Sequence, residues 1–129
     1  MLHEEKTDKI IGAFFKVYNN LGYGFLERVY QNALLIELRK LGLHSETEKP
    51  VKVYYDGELV GDYRADIIVD NCIIIENKTA ESLAEEHEFQ LINYLKATEI
   101  EVGLLLNFGK KPEFKRKIFT NSKKKLERG

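Results

Sequence analysis

Cysteine is almost absent from this 129-residue sequence, in which Cys72 stands alone. A lone cysteine cannot form an intrachain disulfide, and with only three histidines it provides no zinc-binding pattern. No apolar run approaches the roughly 20 residues that span a bilayer. The acidic start, residues 1–6, leads into a helical pattern and is unlike a secretory signal. These absences predict a cytoplasmic protein in a reducing environment, with no membrane partner.

Positive charge is scarce over most of the chain and concentrated at its C-terminal end. Residues 110–129 hold nine Lys or Arg and two Asp or Glu, whereas residues 1–109 hold eleven Lys or Arg and nineteen Asp or Glu. Such basic density can contact phosphates, with an affinity that falls as salt is added. The other interpretation is a solvated basic tail, and for residues 122–129 we expect a frayed tail.

Apolar periodicity predicts one domain, residues 1–121, with the element order ααβββαβ and a further candidate edge strand. Helices are expected where apolar residues recur every three or four positions, and strands where they alternate or run continuously. The predicted helices are 7–21, 25–41 and 82–98, and the predicted strands are 50–55, 59–69, 73–78, 101–108 and 114–119. This order belongs to the α/β (α+β) class, with helices flanking a central sheet.

Three local signals support the element boundaries. Gly42 is placed to end the second helix as a residue just beyond its last turn. The pair Asp56-Gly57 predicts a tight hairpin turn between the first two strands. Ser82, followed by Glu85, resembles a capping box at the start of the third helix.

The segment Glu76-Asn77-Lys78 ends a strongly apolar strand. Because strand side chains alternate, Glu76 and Lys78 share one face and Asn77 points to the other. A carboxylate beside an ammonium group suits phosphoryl transfer: the carboxylate binds a hard cation such as magnesium, and the lysine steadies a nucleophilic water or a developing negative charge. The alternative is a surface ion pair at a sheet edge, which contributes little.

Asp66 lies within the preceding strand, where an isolated aspartate is disfavoured and costly to desolvate. A metal shared with Glu76 would offset that cost, and so would an ion pair with Arg64 or Lys78. For Asp66 to face Glu76 across an antiparallel ladder, Val69 must pair with Ile73 around a three-residue loop. A two-residue turn would place Ile75 opposite Asp66 instead. We therefore predict the three-residue loop, or a bulge with the same effect; three residues are compatible with a type I turn plus one left-handed residue.

Three further polar residues carry weaker signals. Glu27 lies in the first turn of the second helix, where an acid also complements the helix dipole. Gln90 and Tyr94, four positions apart, share one face of the third helix. A glutamine facing an apolar core needs a hydrogen-bonding role, such as orienting a metal-bound water or a phosphate. The alternative is an exposed amide beside an ordinary core tyrosine.

The ordered set Glu27, Asp66, Glu76-x-Lys78 and Gln90-x-x-x-Tyr94 resembles the motifs of RecB-like nucleases in the PD-(D/E)XK superfamily. The segment Gly24-Phe25-Leu26-Glu27-Arg28-Val29-Tyr30 resembles the signature of the GxxExxY protein family. The blocks 61–66, 87–95 and 103–109 are similar to that family as well. Ala65 replaces the proline of the superfamily name, and Asn77 fills a position that is often apolar.

The resemblance implies a single-domain, restriction-endonuclease-like core with a mixed central sheet. It implies that Asp66, Glu76 and Glu27 hold Mg²⁺, with Mn²⁺ as a substitute. Lys78 would be the catalytic lysine, Gln90 would support catalysis, and the implied substrate contacts are Arg64, Tyr94 and Tyr30. Arg64 is expected on the same strand face as Asp66.

The expected function is a magnesium-dependent nuclease acting on DNA or another nucleic acid. The alternative is a catalytically silent module that keeps the nuclease fold and binds nucleic acid or protein, because fold alone does not dictate function. A homodimer that pairs the edge strand at 114–119 is a further expectation for so small a chain.

Overall fold

A five-stranded mixed sheet forms the centre of the domain, with helices on both faces. The structure, a computed structural model, describes residues 2–125. Its elements are α1 (Glu4–Leu21), α2 (Glu27–Lys40), β1 (Ser45–Tyr55), β2 (Glu58–Val69), β3 (Ile73–Lys78), α3 (Glu85–Ala97), β4 (Val102–Phe108), β5 (Pro112–Ile118) and a 3₁₀ turn, Asn121–Lys123. The predicted order is confirmed, including the edge strand. None of the helices between residues 2 and 125 combines the length and apolar character needed to cross a membrane.

The strands lie in the order β1-β2-β3-β4-β5. All neighbours are antiparallel except β3 and β4, which run parallel from Ile73 opposite Val102 to Lys78 opposite Asn107. A parallel pair needs a long crossover, and α3 supplies it. This crossover begins directly after Lys78, so α3 lies over the end of the strand that carries the predicted site.

Two apolar clusters hold the layers together, one on each face of the sheet. On the first face, α1 and α2 cover the sheet, and Phe14 and Tyr30 both contact Phe108, with ring centroids 4.8 and 4.6 Å away. On the second face, Leu91 and Leu95 of α3 cover a smaller cluster built on β2, β3 and β4. Burial of these side chains gives the main driving force for folding.

The loop between β2 and β3 has the predicted three residues, and Val69 pairs with Ile73. Asp70 and Asn71 both adopt positive φ, at 49° and 55°, so the loop contains two left-handed residues, whereas a type I turn plus one left-handed residue would contain one. Aspartate and asparagine tolerate this backbone conformation better than most residues. The Asp70 carboxylate also accepts a hydrogen bond from the His44 amide at 2.9 Å and pairs with Lys6.

The hairpin turn at Asp56-Gly57 is confirmed, with Tyr55 opposite Glu58. Both turn residues have positive φ, as the tightest hairpins require. The register then shifts by one residue between Val53 and Tyr54. Because of this shift, each residue of β1 before Tyr54 lies opposite a residue of β2 that is one position later than in an unshifted hairpin.

Most element boundaries lie within a few residues of the prediction, and the starts of β1 and α3 differ for identifiable reasons. β1 begins at Ser45 and not at residue 50, because pairing with β2 orders a polar segment that lacks an alternating pattern. α3 begins at Glu85, and the capping box at Ser82 does not form; the Ala84 amide instead donates to Nδ1 of His87 at 3.0 Å. Leu83 is held by a hydrogen bond from its amide to Glu113, which keeps the preceding segment out of the helix.

Much of the basic C-terminal segment is engaged within the protein. Lys115 and Lys117 both pair with Glu88 of α3. Lys124 donates to the carbonyl oxygens of Thr98 and Ile100 at 2.8 and 2.7 Å. These bonds anchor Lys124 to the loop before β4, whereas residues 126–129 lie outside the described range, so the frayed tail expected for residues 122–129 stays a prediction. These intramolecular contacts compete with the phosphate contacts expected for this segment.

Candidate active site

Asp66 and Glu76 lie side by side where β2 and β3 separate. The ladder ends at Ile67 opposite Ile75, so the next pair in the same register is Asp66 opposite Glu76. Two backbone amides are taken up by the carboxylates: Asp66 N–H donates to Oε2 of Glu76, and Asn77 N–H donates to Oδ2 of Asp66, both at 2.8 Å. Each carboxylate is thus fixed by the backbone of the opposite strand.

Burial makes this carboxyl pair unusual. Glu76 is only 3% exposed, and burial together with the Asp66 charge raises the pKa of Glu76 to about 8. Burial also raises the pKa of Asp66, against the hydrogen bond from the Asn77 amide and the positive charge of Lys78. Desolvation penalises the ionised form of a carboxyl group, and a second carboxylate adds to the penalty. A nearby cation would reverse both effects.

Lys78 extends from the same strand end towards α3. Its Nζ donates to Oε1 of Gln90 at 3.3 Å, and Nε2 of Gln90 donates to the hydroxyl of Tyr94 at 3.1 Å. The interpretation of Gln90 as a merely exposed amide is therefore wrong. Gln90 connects the lysine to a tyrosine that is itself nearly buried. The chain Lys78–Gln90–Tyr94 positions an ammonium group beside the two carboxylates.

Glu27 begins α2 and lies at the border of this group. Its Oε2 accepts a weak hydrogen bond from Thr79 at 3.5 Å, and its negative charge contributes to the raised pKa of Asp66. Residues 2–125 nevertheless contain no group of three His, Cys, Asp or Glu side chains arranged to hold a metal. The structure thus brings two of the three predicted carboxylates into contact, and the role of Glu27 as a ligand stays a prediction.

Glu48 of β1 is an acidic neighbour that sequence reasoning missed. Thr47 pairs with Ile67 and Lys49 with Ala65, so Glu48 is opposite Asp66. Glu48 has a φ of 53° and is left out of the ladder. Its charge contributes to the raised pKa of both Asp66 and Glu76. The register shift at the tip of the hairpin hides this alignment, because an unshifted hairpin would place residue 47 opposite Asp66.

Arg64 does not share the face on which α3 lies. Its neighbour Tyr63 contacts the ring of Tyr94, with centroids 5.7 Å apart, and Ala65 belongs to the apolar cluster under α3. Alternation along the strand therefore directs Arg64 away from Gln90 and Tyr94. The expectation that Arg64 and Asp66 share a face assumed unbroken alternation, which fails where Glu48 and Asp66 leave the ladder.

Tyr30 has no surface available to a substrate. It is 0% exposed and stacks on Phe108. Its hydroxyl donates to the carbonyl of Gly22 at 2.6 Å and accepts from the Phe25 amide at 3.2 Å. The substrate contact expected of Tyr30 is not supported. This side chain instead fixes the glycine-rich turn that places Glu27 at the start of α2.

Asn107 is a second residue whose role the sequence did not reveal. It is buried on β4, where Oδ1 accepts from the Ala80 amide and Nδ2 donates to the Ala80 carbonyl, both at 2.9 Å. These bonds hold the chain two residues after Lys78. The approach is close: a Cβ on Gly109 would lie 2.0 Å from the Ala80 carbonyl oxygen. Asn107 and Gly109 therefore fix the path of the segment that follows the lysine.

We expect Asn107→Ala to lower the free energy of unfolding by about 2 kcal/mol, because two backbone groups of Ala80 lose their partner in a partly buried setting. Urea unfolding at neutral pH measures this loss. Asn20→Ala is the matched control, since the Asn20 amide donates to the Lys16 carbonyl on the exposed side of α1. Equal stability of the Asn107→Ala variant and the parent protein would show that the two hydrogen bonds from Asn107 to Ala80 do not stabilise the fold.

The carboxylate pair suits a divalent cation. Asp66 and Glu76 offer only oxygen donors, which Mg²⁺ and Mn²⁺ prefer. Magnesium is commonly held by one or two carboxylates together with waters and substrate phosphates, so two protein ligands are a sufficient set. A doubly charged ion would also offset the repulsion between two ionised carboxylates in a buried site. The residues present therefore fit the cation that the sequence predicts.

Comparison with known proteins agrees with this geometry. The chain belongs to the PD-(D/E)XK nuclease superfamily, whose family profile matches residues 4–117. Nucleases of this superfamily generally use divalent metals. The match concerns the superfamily, and the narrower GxxExxY resemblance stays a prediction. No curated protein matches the sequence.

A similar fold occurs in a solved structure, the crystal structure of SSO0001. The two share 21% sequence identity with a TM-score of 0.59, over 92% of this chain and 60% of that chain. This chain thus spans 60% of the length of that protein. At this level of identity, the likeness shows a common fold alone.

Proposed function

We propose that this protein is a divalent-metal-dependent phosphodiester hydrolase that cleaves nucleic acid. The observation that carries the proposal is the pair of the buried Glu76 and the half-buried Asp66, with the ammonium group of Lys78 at the same strand end. Two desolvated carboxylates are costly without a cation, and an amine at the same strand end suits charge stabilisation at phosphorus. Membership of the nuclease superfamily supports this assignment.

Each residue of the site has a distinct role in the proposal. Asp66 and Glu76 hold Mg²⁺, with Mn²⁺ as a substitute, and the bound cation supplies Lewis-acid stabilisation of the phosphate. Lys78 Nζ donates to the attacking water or to the oxygen that gains negative charge. Gln90 holds that amine at the strand end by accepting its hydrogen bond, and Gln90 is itself held by the bond of its own amide to Tyr94. Glu27 is proposed as an additional acid, acting directly or through water.

We propose DNA as the substrate and the cytoplasm as the location, following the superfamily and the lone cysteine. Homodimerisation through β5 is part of the same proposal, since this strand forms one edge of the sheet. The three consecutive basic residues 115–117 on that edge oppose strand addition unless a partner neutralises them. Glu88 already pairs with two of them within the chain.

Cleavage assays test the proposal directly. The purified protein would be incubated with linear duplex, circular, single-stranded and branched DNA, and with RNA, in Mg²⁺, Mn²⁺ or EDTA. We expect cleavage of at least one substrate that requires a divalent metal and is lost in Glu76→Gln. If no substrate is cut in either metal while binding is retained, the protein is a non-catalytic binding module. Isothermal titration with Mn²⁺ separates loss of metal binding from loss of chemistry.

A further inference from the structure

A groove lined by aromatic side chains adjoins the candidate active site. It has a volume of about 450 Å³ and lies between β2 and α3, where Tyr63, Phe89 and Tyr94 contribute rings and Glu86, Gln90 and Asn93 contribute polar groups. Such a volume lies within the range of sites that take small molecules or single cofactor rings. We call this surface the aromatic groove.

Two of its rings are presented to solvent. Tyr63 is 49% exposed and Phe89 is 59% exposed, although large apolar side chains usually lose most of their surface on folding. Tyr63 is held in place by the ring of Tyr94, with centroids 5.7 Å apart. Exposed rings on rigid strand and helix positions are the platforms on which unpaired nucleobases stack.

The aromatic groove is continuous with the residues that hold Lys78. Gln90 lines the groove and accepts a hydrogen bond from Lys78 Nζ at 3.3 Å, while Tyr94 lines the groove and accepts one from Gln90 at 3.1 Å. A group seated in the groove would therefore lie next to whatever Lys78 contacts. In a nucleotide chain, each base likewise lies next to a phosphate, so a base in the groove would place a phosphate near Lys78.

Charge indicates which part of a nucleotide the aromatic groove would take. Glu86, also on its wall, would repel a phosphate but can accept hydrogen bonds from the exocyclic amine of a base. Asn93 offers both a donor and an acceptor to a base edge. The positive charge needed for a phosphate is instead at Lys78, across Gln90.

We propose that the aromatic groove binds an unpaired nucleobase of a single-stranded or locally opened nucleic acid, next to the phosphate at Lys78. This inference rests on the proposed function for its choice of occupant, and it adds the substrate class. A base in an intact duplex has both faces stacked and cannot present a face to Tyr63 or Phe89. The nucleotide bound here must therefore be unstacked, as it is in single strands, ends, loops or flipped-out positions.

Metal-free binding measurements test this inference separately from cleavage. Single-stranded oligonucleotides containing 2-aminopurine would be titrated with the full chain in EDTA, reading fluorescence quenching and anisotropy. We expect quenching on binding, and a loss of affinity of about 5- to 150-fold for Tyr63→Ala and for Phe89→Ala, the range found for one stacked base. Phe89→Tyr keeps a stacking ring and is expected to retain affinity.

The control is Tyr55→Ala, because Tyr55 is 74% exposed at the tip of the β1–β2 hairpin, outside the aromatic groove. This variant is expected to bind like the parent, and circular dichroism confirms that each variant is folded. Equal affinity of the Tyr63→Ala and Phe89→Ala variants and the parent would overturn the inference, as would equal losses for a fully paired duplex. Metal-dependent cleavage of duplex substrates alone would support the proposed nuclease function and overturn the inference about the aromatic groove.

Discussion

Replacing Lys78 with methionine is expected to lower the cleavage rate by about 10²–10³-fold, with a smaller change in KM. The ammonium group provides preorganised stabilisation where charge develops, and loss of one such donor typically costs this much in kcat. Methionine keeps a similar length and apolar volume, so the packing against α3 should survive. Single-turnover cleavage of the best substrate, with Mg²⁺ in excess, measures the chemical step.

The matched control for this prediction is Lys40→Met. Lys40 ends α2 and pairs on the surface with Glu37, far along the helix from Glu27 at its start. We expect its cleavage rate to equal that of the parent. Lys78→Arg should recover only part of the rate, because the guanidinium keeps the charge but not the geometry of a compact ammonium group. If the Lys78→Met protein cleaves at the parental rate, Lys78 does not take part in the chemical step.

In metal-free buffer, the free energy of unfolding is expected to fall by a few kcal/mol between pH 5 and pH 9. Glu76 binds its proton up to about pH 8 in the folded protein but releases it near the ordinary pKa of 4.5 when unfolded. Between these values the folded state holds more protons, so raising the pH favours unfolding. Asp66 shifts in the same direction and adds to the effect. Urea unfolding in EDTA at several pH values measures the slope.

Glu76→Gln should remove most of this slope, since the amide has no proton to release and its oxygen can still accept from the Asp66 amide. Above pH 8 the variant is expected to be more stable than the parent. Added Mg²⁺ or Mn²⁺ should restore the stability of the parent at pH 9 and leave the variant nearly unchanged, because a ligand that binds only the folded state stabilises it. A parent protein whose stability is flat from pH 5 to pH 9 would show that Glu76 is not desolvated as described.

The central feature of the site was predictable from a short piece of sequence. The alternation of β3 placed Glu76 and Lys78 on one face, and the length of the loop at 70–72 fixed Asp66 opposite Glu76. Both inferences depend only on the period of a strand and the geometry of one hairpin. They succeeded because nothing between Asp66 and Glu76 interrupts the pairing except that loop.

The neighbours of the site were less predictable, for identifiable reasons. The position of Glu48 depends on a register shift between Val53 and Tyr54, and no residue type at that point predicts such a shift. The orientation of Arg64 depends on an interruption at Asp66 in the alternation of side chains along β2. That interruption follows from how β2 pairs with β1 and β3. Tyr30 belongs to the segment 24–30 that resembles a family signature, but it is buried by contact with Phe108, a residue 78 positions away in the chain.

The sequence by itself determined the order of the elements, the hairpin register that brings Asp66 to Glu76, and the face that Lys78 occupies, because these follow from local periodicity and turn length. Only the tertiary structure decided that Gln90 holds Lys78, that Asn107 fixes the segment beyond it, and that Tyr63 and Phe89 border a groove. Those contacts join separate elements, and their geometry depends on how α3 packs across the sheet. Local sequence patterns do not encode that packing.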